Sequence, residues 1–354
     1  MPITIDTIDS PAVLIDVDRV EANLARAQAY ADKHGMPLRP HIKTHKLPLF
    51  ARRQIELGAV GITCQKIGEA EVMADAGIED IFLPYNLVGA GKLLRLRALA
   101  LRTKLAVTAD SREVVDGYAA AFADAPEPLR VLVECDVGMG RCGVATPADA
   151  VALARHIAGS RGLTFGGLMT YPPAGSFEAT QNWLSEAVAL LTAAGLPPET
   201  VSSGGTPDLY SAHLVTAATE HRPGTYIYSD LYQVAHGLGT LDDCALTVLA
   251  TVVSRPTPDR AILDTGSKSL TSDTLGLTGH GLILEYPAAV IAGLSEEHGH
   301  VDLSASAAKP KVGERVRIIP NHACVVSNLF DAVYLVSGGD VLDRVPVAAR
   351  GTVT

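Results

Sequence analysis

The folds open to this chain are limited most by an alternation, sustained over its first two-thirds, between short apolar runs and longer stretches of helical period. The runs fall at residues 38–43, 61–66, 80–85, 104–110, 130–136, 164–170, 201–205 and 225–230. They are too apolar to have a solvated face, as expected of strands covered on both sides in a parallel sheet. Between them, residues 19–34, 68–76, 111–123 and 176–194 repeat their apolar positions every three or four residues, as in Val20, Leu24 and Ala27, the spacing of a one-sided helix. Eight strands with helical crossovers predict a closed (β/α)8 barrel of TIM type in preference to an open doubly wound sheet.

After about Gly239 the texture changes. Segments 246–253, 260–264, 282–286 and 315–319 are short, rich in Val and Ile, and separated by Pro, Gly and Asp. Residues 332–336 and 341–345 flank Ser337-Gly338-Gly339-Asp340, a hairpin signature. This predicts a second, all-β domain, to which the early run 11–17 supplies a strand. The expected class is therefore α/β plus all-β, with a barrel over 18–239 and a β-sheet domain from 1–17 and 240–354.

Composition narrows the function. A formal charge of −10 argues against a general nucleic-acid binder. No apolar run approaches the ~20 residues that span a bilayer, and the opening MPITIDTIDSPAVLID lacks the basic flank and apolar stretch of a secretory signal. Five cysteines, odd in number and sparse over 354 residues, fit a reducing compartment. The expectation is a cytoplasmic enzyme with a small-molecule substrate, neither nucleic-acid-bound nor membrane-bound.

In a parallel barrel the active site lies at the carboxyl ends of the strands. Strand one ends in Pro40-His41-Ile42-Lys43-Thr44-His45-Lys46. A lysine placed there can be desolvated, so that a neutral amine forms an imine; the plainer reading is a solvated basic loop. Strand five runs into Asp136-Val137-Gly138-Met139-Gly140-Arg141-Cys142-Gly143, where glycines let the backbone turn and Arg141 offers fixed donors. Strand seven ends in Ser203-Gly204-Gly205-Thr206, a composition suited to phosphate at a helix start, or to a simple turn. Lysine and phosphate loop together point to pyridoxal 5′-phosphate (PLP). In the β domain, Asn321-His322-Ala323-Cys324 puts two soft ligands on one face of an extended segment, where they could hold Zn²⁺, or be a buried thiol beside a surface imidazole. Glu296-Glu297-His298-Gly299-His300 either approaches that pair or forms a polar hairpin tip.

The ordered set resembles the fold-type III PLP enzymes of the D-threonine aldolase and D-serine dehydratase family, which share an alanine racemase-like barrel. The resemblance runs through the opening Pro11-Ala12-Val13-Leu14-Ile15-Asp16-Val17-Asp18, the heptapeptide around Lys43, Cys64-Gln65-Lys66 with Glu69-Ala70-Glu71, and residues 137–143 and 203–206. It continues through Arg222-Pro223-Gly224-Thr225-Tyr226, 262–268 and 321–328. It implies that Lys43 bonds the cofactor's aldehyde, with His41 and Gln65 beside it. Arg141 then faces the phenolic oxygen and Tyr171 the pyridine nitrogen. Ser203, Gly204, Gly205 and Thr206 hold the phosphate, with Tyr228 nearby, and His322 and Cys324 bind a divalent metal (Zn, Mn or Mg). It also implies a homodimer and a β-hydroxy-D-amino acid substrate. Lys43, His41, Arg141 and Tyr171 are the expected catalytic group.

Two reactions use these parts: retro-aldol cleavage to glycine and an aldehyde, or β-elimination to a keto acid and ammonia. Gln65 resembles the aldolase branch, whereas His322-x-Cys324 resembles the dehydratase branch. Aldolases of the family carry histidines after strand six, where this chain reads Tyr171-Pro172-Pro173-Ala174-Gly175-Ser176. The aldolase is the preferred expectation and the dehydratase its alternative. A racemase using Tyr286 or Tyr334 and a non-catalytic PLP carrier are further alternatives.

Overall fold

The computed structural model describes residues 4–354, so the first three residues of the expected 1–17 segment lie outside the described residues. By internal contacts the chain divides into two units. One comprises the residues up to Ala25 with Thr44–Leu47 and Thr225–Gly351; the other comprises Arg26–Lys43, Pro48–Gly224 and Thr352–Thr354. The chain passes between them at 224–225, earlier than the 239 expected from the change of texture.

The second unit is the barrel. Strands Ile62–Thr63, Asp80–Leu83, Lys104–Ala109, Leu129–Cys135, Leu163–Thr170, Thr200–Ser203 and Glu220–His221 pair in parallel, each with the next. The ring is closed by residues 37–41, which stand in the place of the first strand through isolated parallel bridges at Leu38 and His41. Arg39 N–H donates to His221 O and His41 N–H to Pro223 O on one side, while Thr63 N–H donates to Pro40 O and Val60 N–H to Leu38 O on the other. Phe82, Leu132 and Met169, with Ala106, form an apolar cluster on one face of the curled sheet. Helices cover the strands as their period predicts. In Arg112–Phe122, for example, Val114, Val115, Tyr118 and Phe122 are the buried positions.

The expected eighth strand at 225–230 is a correction. The eighth strand is Glu220–His221, and Thr225–Ile227 is a 3-10 turn. Pro223 has no N–H for a ladder and Gly224 favours a bend. The sequence does not mark this strand, because its residues are a carboxylate and an imidazole.

The first unit is built on a sheet in the order Val290–Leu294, Gly299–Asp302, Arg260–Leu263, Leu246–Thr257, Ala12–Asp16, Ala332–Ser337, Asp340–Pro346. Arg315–Ile319 also pairs with Leu246–Thr257 and with Leu282–Ile283. Ala12–Asp16 lies where the early apolar run was expected to, antiparallel to Leu246–Thr257 and parallel to Ala332–Ser337. Gly338 and Gly339 (φ 57° and 96°) turn the last hairpin in the left-handed region that Ser-Gly-Gly-Asp predicts. Ile8, Ala12, Leu14, Leu249 and Val336 pack together at this sheet.

Candidate active site

In the barrel unit two groups of the expected residues form: His41 with Gln65, after the first and second strands, and Arg141, Tyr171 and Gly205, after the fifth, sixth and seventh. Strand one runs into the 3-10 turn Ile42–Thr44. His41 is buried; its Nδ1 accepts the Lys43 amide at 3.4 Å, so Nε2 carries the proton and donates to Gln65 Oε1 at 3.0 Å. Gln65 is in turn fixed by Glu69, a buried carboxylate whose Oε2 accepts the amides of Gln65 (2.7 Å) and Lys66 (3.2 Å). The Lys43 side chain is exposed, so the protein around it does not supply the desolvation that the sequence allowed for. Its neighbours differ: Lys46 is buried with Nζ on Ala349 O, and Lys66 Nζ lies 4.2 Å from the Tyr85 ring centre.

The loop after strand seven is shaped by two close approaches. Gly204 has φ +80°, and a Cβ there would lie 2.0 Å from the His221 ring; a Cβ on Gly205 would lie 2.8 Å from the Tyr171 ring. At Gly204 the left-handed backbone and the imidazole together admit only glycine, while at Gly205 the backbone is extended and a side chain would have to displace the Tyr171 ring. His221 Nε2 donates to Gly205 O at 2.9 Å, and burial pushes its pKa down to about 4, so it is a neutral brace. Thr206 Oγ1 accepts the Gly224 amide (3.0 Å), and Ser203 is buried beside these residues. The loop opens the 3-10 helix Thr206–Leu214, in whose first turn Pro207 carries no N–H and the Asp208 amide donates to Gly205 O at 3.3 Å. Asp136 accepts the amides of Gly138 (2.9 Å) and Gly140 (3.1 Å), and these bonds, Gly140 first, hold its carboxyl below the usual range. The Arg141 guanidinium lies 5.0 Å from the Tyr171 ring centre. Tyr171 thus touches the strand-five loop on one side and the strand-seven loop on the other.

Beneath these loops lies a buried polar chain that the sequence reading missed. Arg222 donates to Ser202 Oγ and to Thr170 O, both at 2.6 Å. Ser202 donates to Glu220, which also accepts from Arg39 Nε at 2.9 Å, and Arg39 pairs with Asp80. Burial drives the Arg222 pKa down to about 10 and raises that of Glu134, which Asp110 raises further. The available signal was charge inside otherwise apolar strand positions, at Arg39, Glu134 and Glu220.

In the other unit, His322 and Cys324 do come together, but not on an extended segment. His322 is the last extended residue (φ −140°, ψ 118°), and Cys324 lies in the first turn of the helix Ala323–Leu329. The β-branched Val325-Val326 had masked a helix of only seven residues. His322 Nδ1 lies 2.8 Å from Oδ2 of the fully buried Asp230. Burial alone would lower the His322 pKa; hydrogen bonds and charge from Asp230 and Cys324 outweigh it and push it up to about 10. Cys324 Sγ is 3.1 Å from Thr44 Oγ1 and 3.6 Å from Thr225 Oγ1. Tyr228 is buried in this unit, its hydroxyl pKa raised by burial and by Cys324.

Glu296 to His300 form the hairpin tip of the plainer reading: Glu297 pairs with Lys268, and His300 Nε2 with Ser295 Oγ. Among the described residues no group of three His, Cys, Asp or Glu is placed to hold a metal ion, so two protein ligands are what this pair offers. Tyr286 donates to Glu314, and Tyr334 packs at the Ile8–Leu249 cluster. No helix among the described residues is long and apolar enough to cross a membrane.

Residues 15–231 match the family model described as alanine racemase, N-terminal domain, and residues 245–336 that of a putative serine dehydratase domain. D-Threonine aldolase of Arthrobacter sp. is 36% identical over 357 residues, spanning 97% of this chain and 93% of that protein. The crystal structure of D-threonine aldolase from Filomicrobium marinum superposes with a TM-score of 0.92 at 33% identity, over 100% of this chain and 99% of that one. D-threo-3-hydroxyaspartate dehydratase from Delftia sp. HT23 gives 0.88 at 32% identity, over 97% and 98%. Variants of that dehydratase have also been solved, with alanine for a histidine and for a cysteine two positions further on, the latter in metal-free form.

Proposed function

This chain belongs to the alanine racemase-like lyases that include D-threonine aldolase and D-threo-3-hydroxyaspartate dehydratase, and from that premise we propose a PLP- and divalent-metal-dependent aldolase of β-hydroxy-D-amino acids. The observation that carries the reading is adjacency in the barrel. The first strand, which runs into the turn carrying Lys43, is hydrogen-bonded to the eighth strand, and the eighth to the strand that leads into Ser203-Gly204-Gly205-Thr206. An amine and an anion cup therefore stand two strands apart in one ring.

The donor set fits the cofactor. Lys43 presents an exposed primary amine to an aldehyde, the Gly204–Thr206 turn presents amides and a hydroxyl to phosphate, and Arg141 and Tyr171 present a cation and a phenol to the ring. When bound, PLP withdraws electron density from the amino acid's Cα, so bonds there break more readily. Lys43, once its nitrogen is released by substrate, holds or returns a proton at that carbon. His41 and Gln65 fix the turn that carries Lys43. His221 packs against the left-handed Gly204 and Tyr171 against the extended Gly205 of the phosphate loop. In the other unit, His322 Nε2 and Cys324 Sγ are the two atoms offered to a divalent ion, which when bound supplies Lewis acidity toward a β-hydroxyl. We place the enzyme in the cytoplasm as a homodimer.

One observation favours the second reading. His322-x-Cys324 has the histidine–cysteine spacing of the two sites varied in the dehydratase. Product analysis separates the two. With D-threonine, PLP and Mn²⁺, glycine plus acetaldehyde is expected; 2-oxobutanoate plus ammonia would make the enzyme a dehydratase. Racemised threonine, or no product, would remove both.

A further inference from the structure

We propose that Asp230 is the positioning residue of the metal site, holding the His322 ring by Nδ1 so that Nε2 alone is presented to the ion. The inference rests on the metal reading of His322 and Cys324 above and adds a residue that the reading did not contain.

Asp230 is fully buried, and a buried carboxylate is costly unless all its lone pairs are used. Here both oxygens are engaged, and on different tasks. Oδ1 accepts the Gln233 amide at 3.0 Å, capping the short helix Leu231–Ala235. Oδ2 accepts from His322 Nδ1 at 2.8 Å and from the Ala323 amide at 3.0 Å. A cap needs one oxygen. The second reaches 92 residues along the chain and fixes both the imidazole and the first amide of the helix carrying Cys324. The two ligating side chains thus take their relative placement from one carboxylate. Such outer partners fix the tautomer and orientation of a ligating histidine, and their loss costs 10- to 100-fold in metal affinity.

The capping and positioning roles separate by substitution. Asp230→Ser keeps a good cap but cannot reach the imidazole. The test is Zn²⁺ affinity of the PLP-loaded protein, measured by competition with a chromophoric chelator, alongside ¹⁵N signals of the His322 ring. The proposal predicts wild-type binding with Nδ1 protonated and Nε2 ligated, and a 10- to 100-fold weaker Kd in Asp230→Ser at unchanged circular dichroism. If the serine variant does not fold, Asp230→Thr, also a cap and equally short of the imidazole, is read in its place with the same expected loss. Binding within twofold of wild type in the folded variant overturns the role of Asp230 and leaves the metal reading standing. Absence of Zn²⁺ binding in the wild type overturns the metal reading itself, and the role of Asp230 with it.

Discussion

His221 and Gly204 occupy a contact with no slack. Adding a methyl at Gly204 sets a Cβ against the imidazole and forces a left-handed backbone on alanine. Strain of about 1–3 kcal/mol and overpacking of similar size are expected to add. Gly204→Ala should therefore lower the denaturant midpoint and weaken PLP retention on dialysis; a variant that keeps both would show that the contact is not tight. His221 also gives stability a pH dependence. Its pKa falls from 6.5 to about 4 on burial, so between those values the unfolded chain binds the proton more readily. Stability owed to the neutral ring is whole above pH 6.5 and is lost as pH falls toward 4. Unfolding free energy should accordingly rise less steeply from pH 4 to 6.5 in His221→Gln than in wild type; parallel curves would rule the effect out.

Among the elements, the join between first and eighth strands is reinforced by side chains. Arg39 on the first strand pairs with Glu220 on the eighth and Asp80 on the third, with both partners of the Arg39–Glu220 pair largely buried. Removing Glu220 leaves the buried Arg39 with Asp80 as its one remaining carboxylate and takes the acceptor from Ser202 Oγ. Glu220→Ala should cost about 3–5 kcal/mol in urea unfolding, and a cost below ~1 kcal/mol would mean that water reaches Arg39. The same join shows where sequence is legible. Strands two to seven announce themselves because their residues face apolar surroundings on both sides. The eighth does not, because Glu220 and His221 are inward polar residues whose partners lie far off in sequence. The helix Ala323–Leu329 was hidden for another reason: seven residues leave too little length for a helical period to outweigh two adjacent valines.

In the molecule as a whole, the two textures of the sequence became the two sheets, and the loops proposed for the barrel mouth were marked in the sequence by glycine and lysine patterns. Their supports were not, because a brace such as His221 or Asp230 is defined by what it touches across many residues of chain. Nor does a sequence tell that Lys43 stands exposed while Lys46 is buried. That contrast makes the central claim direct to test. Borohydride reduction of the PLP-loaded protein, followed by peptide mass mapping, should place the reduced cofactor on Lys43 alone, and Lys43→Ala should lose both the adduct and the bound chromophore. An adduct on Lys46 or Lys66, or a chromophore surviving in Lys43→Ala, would contradict the assignment of this barrel mouth.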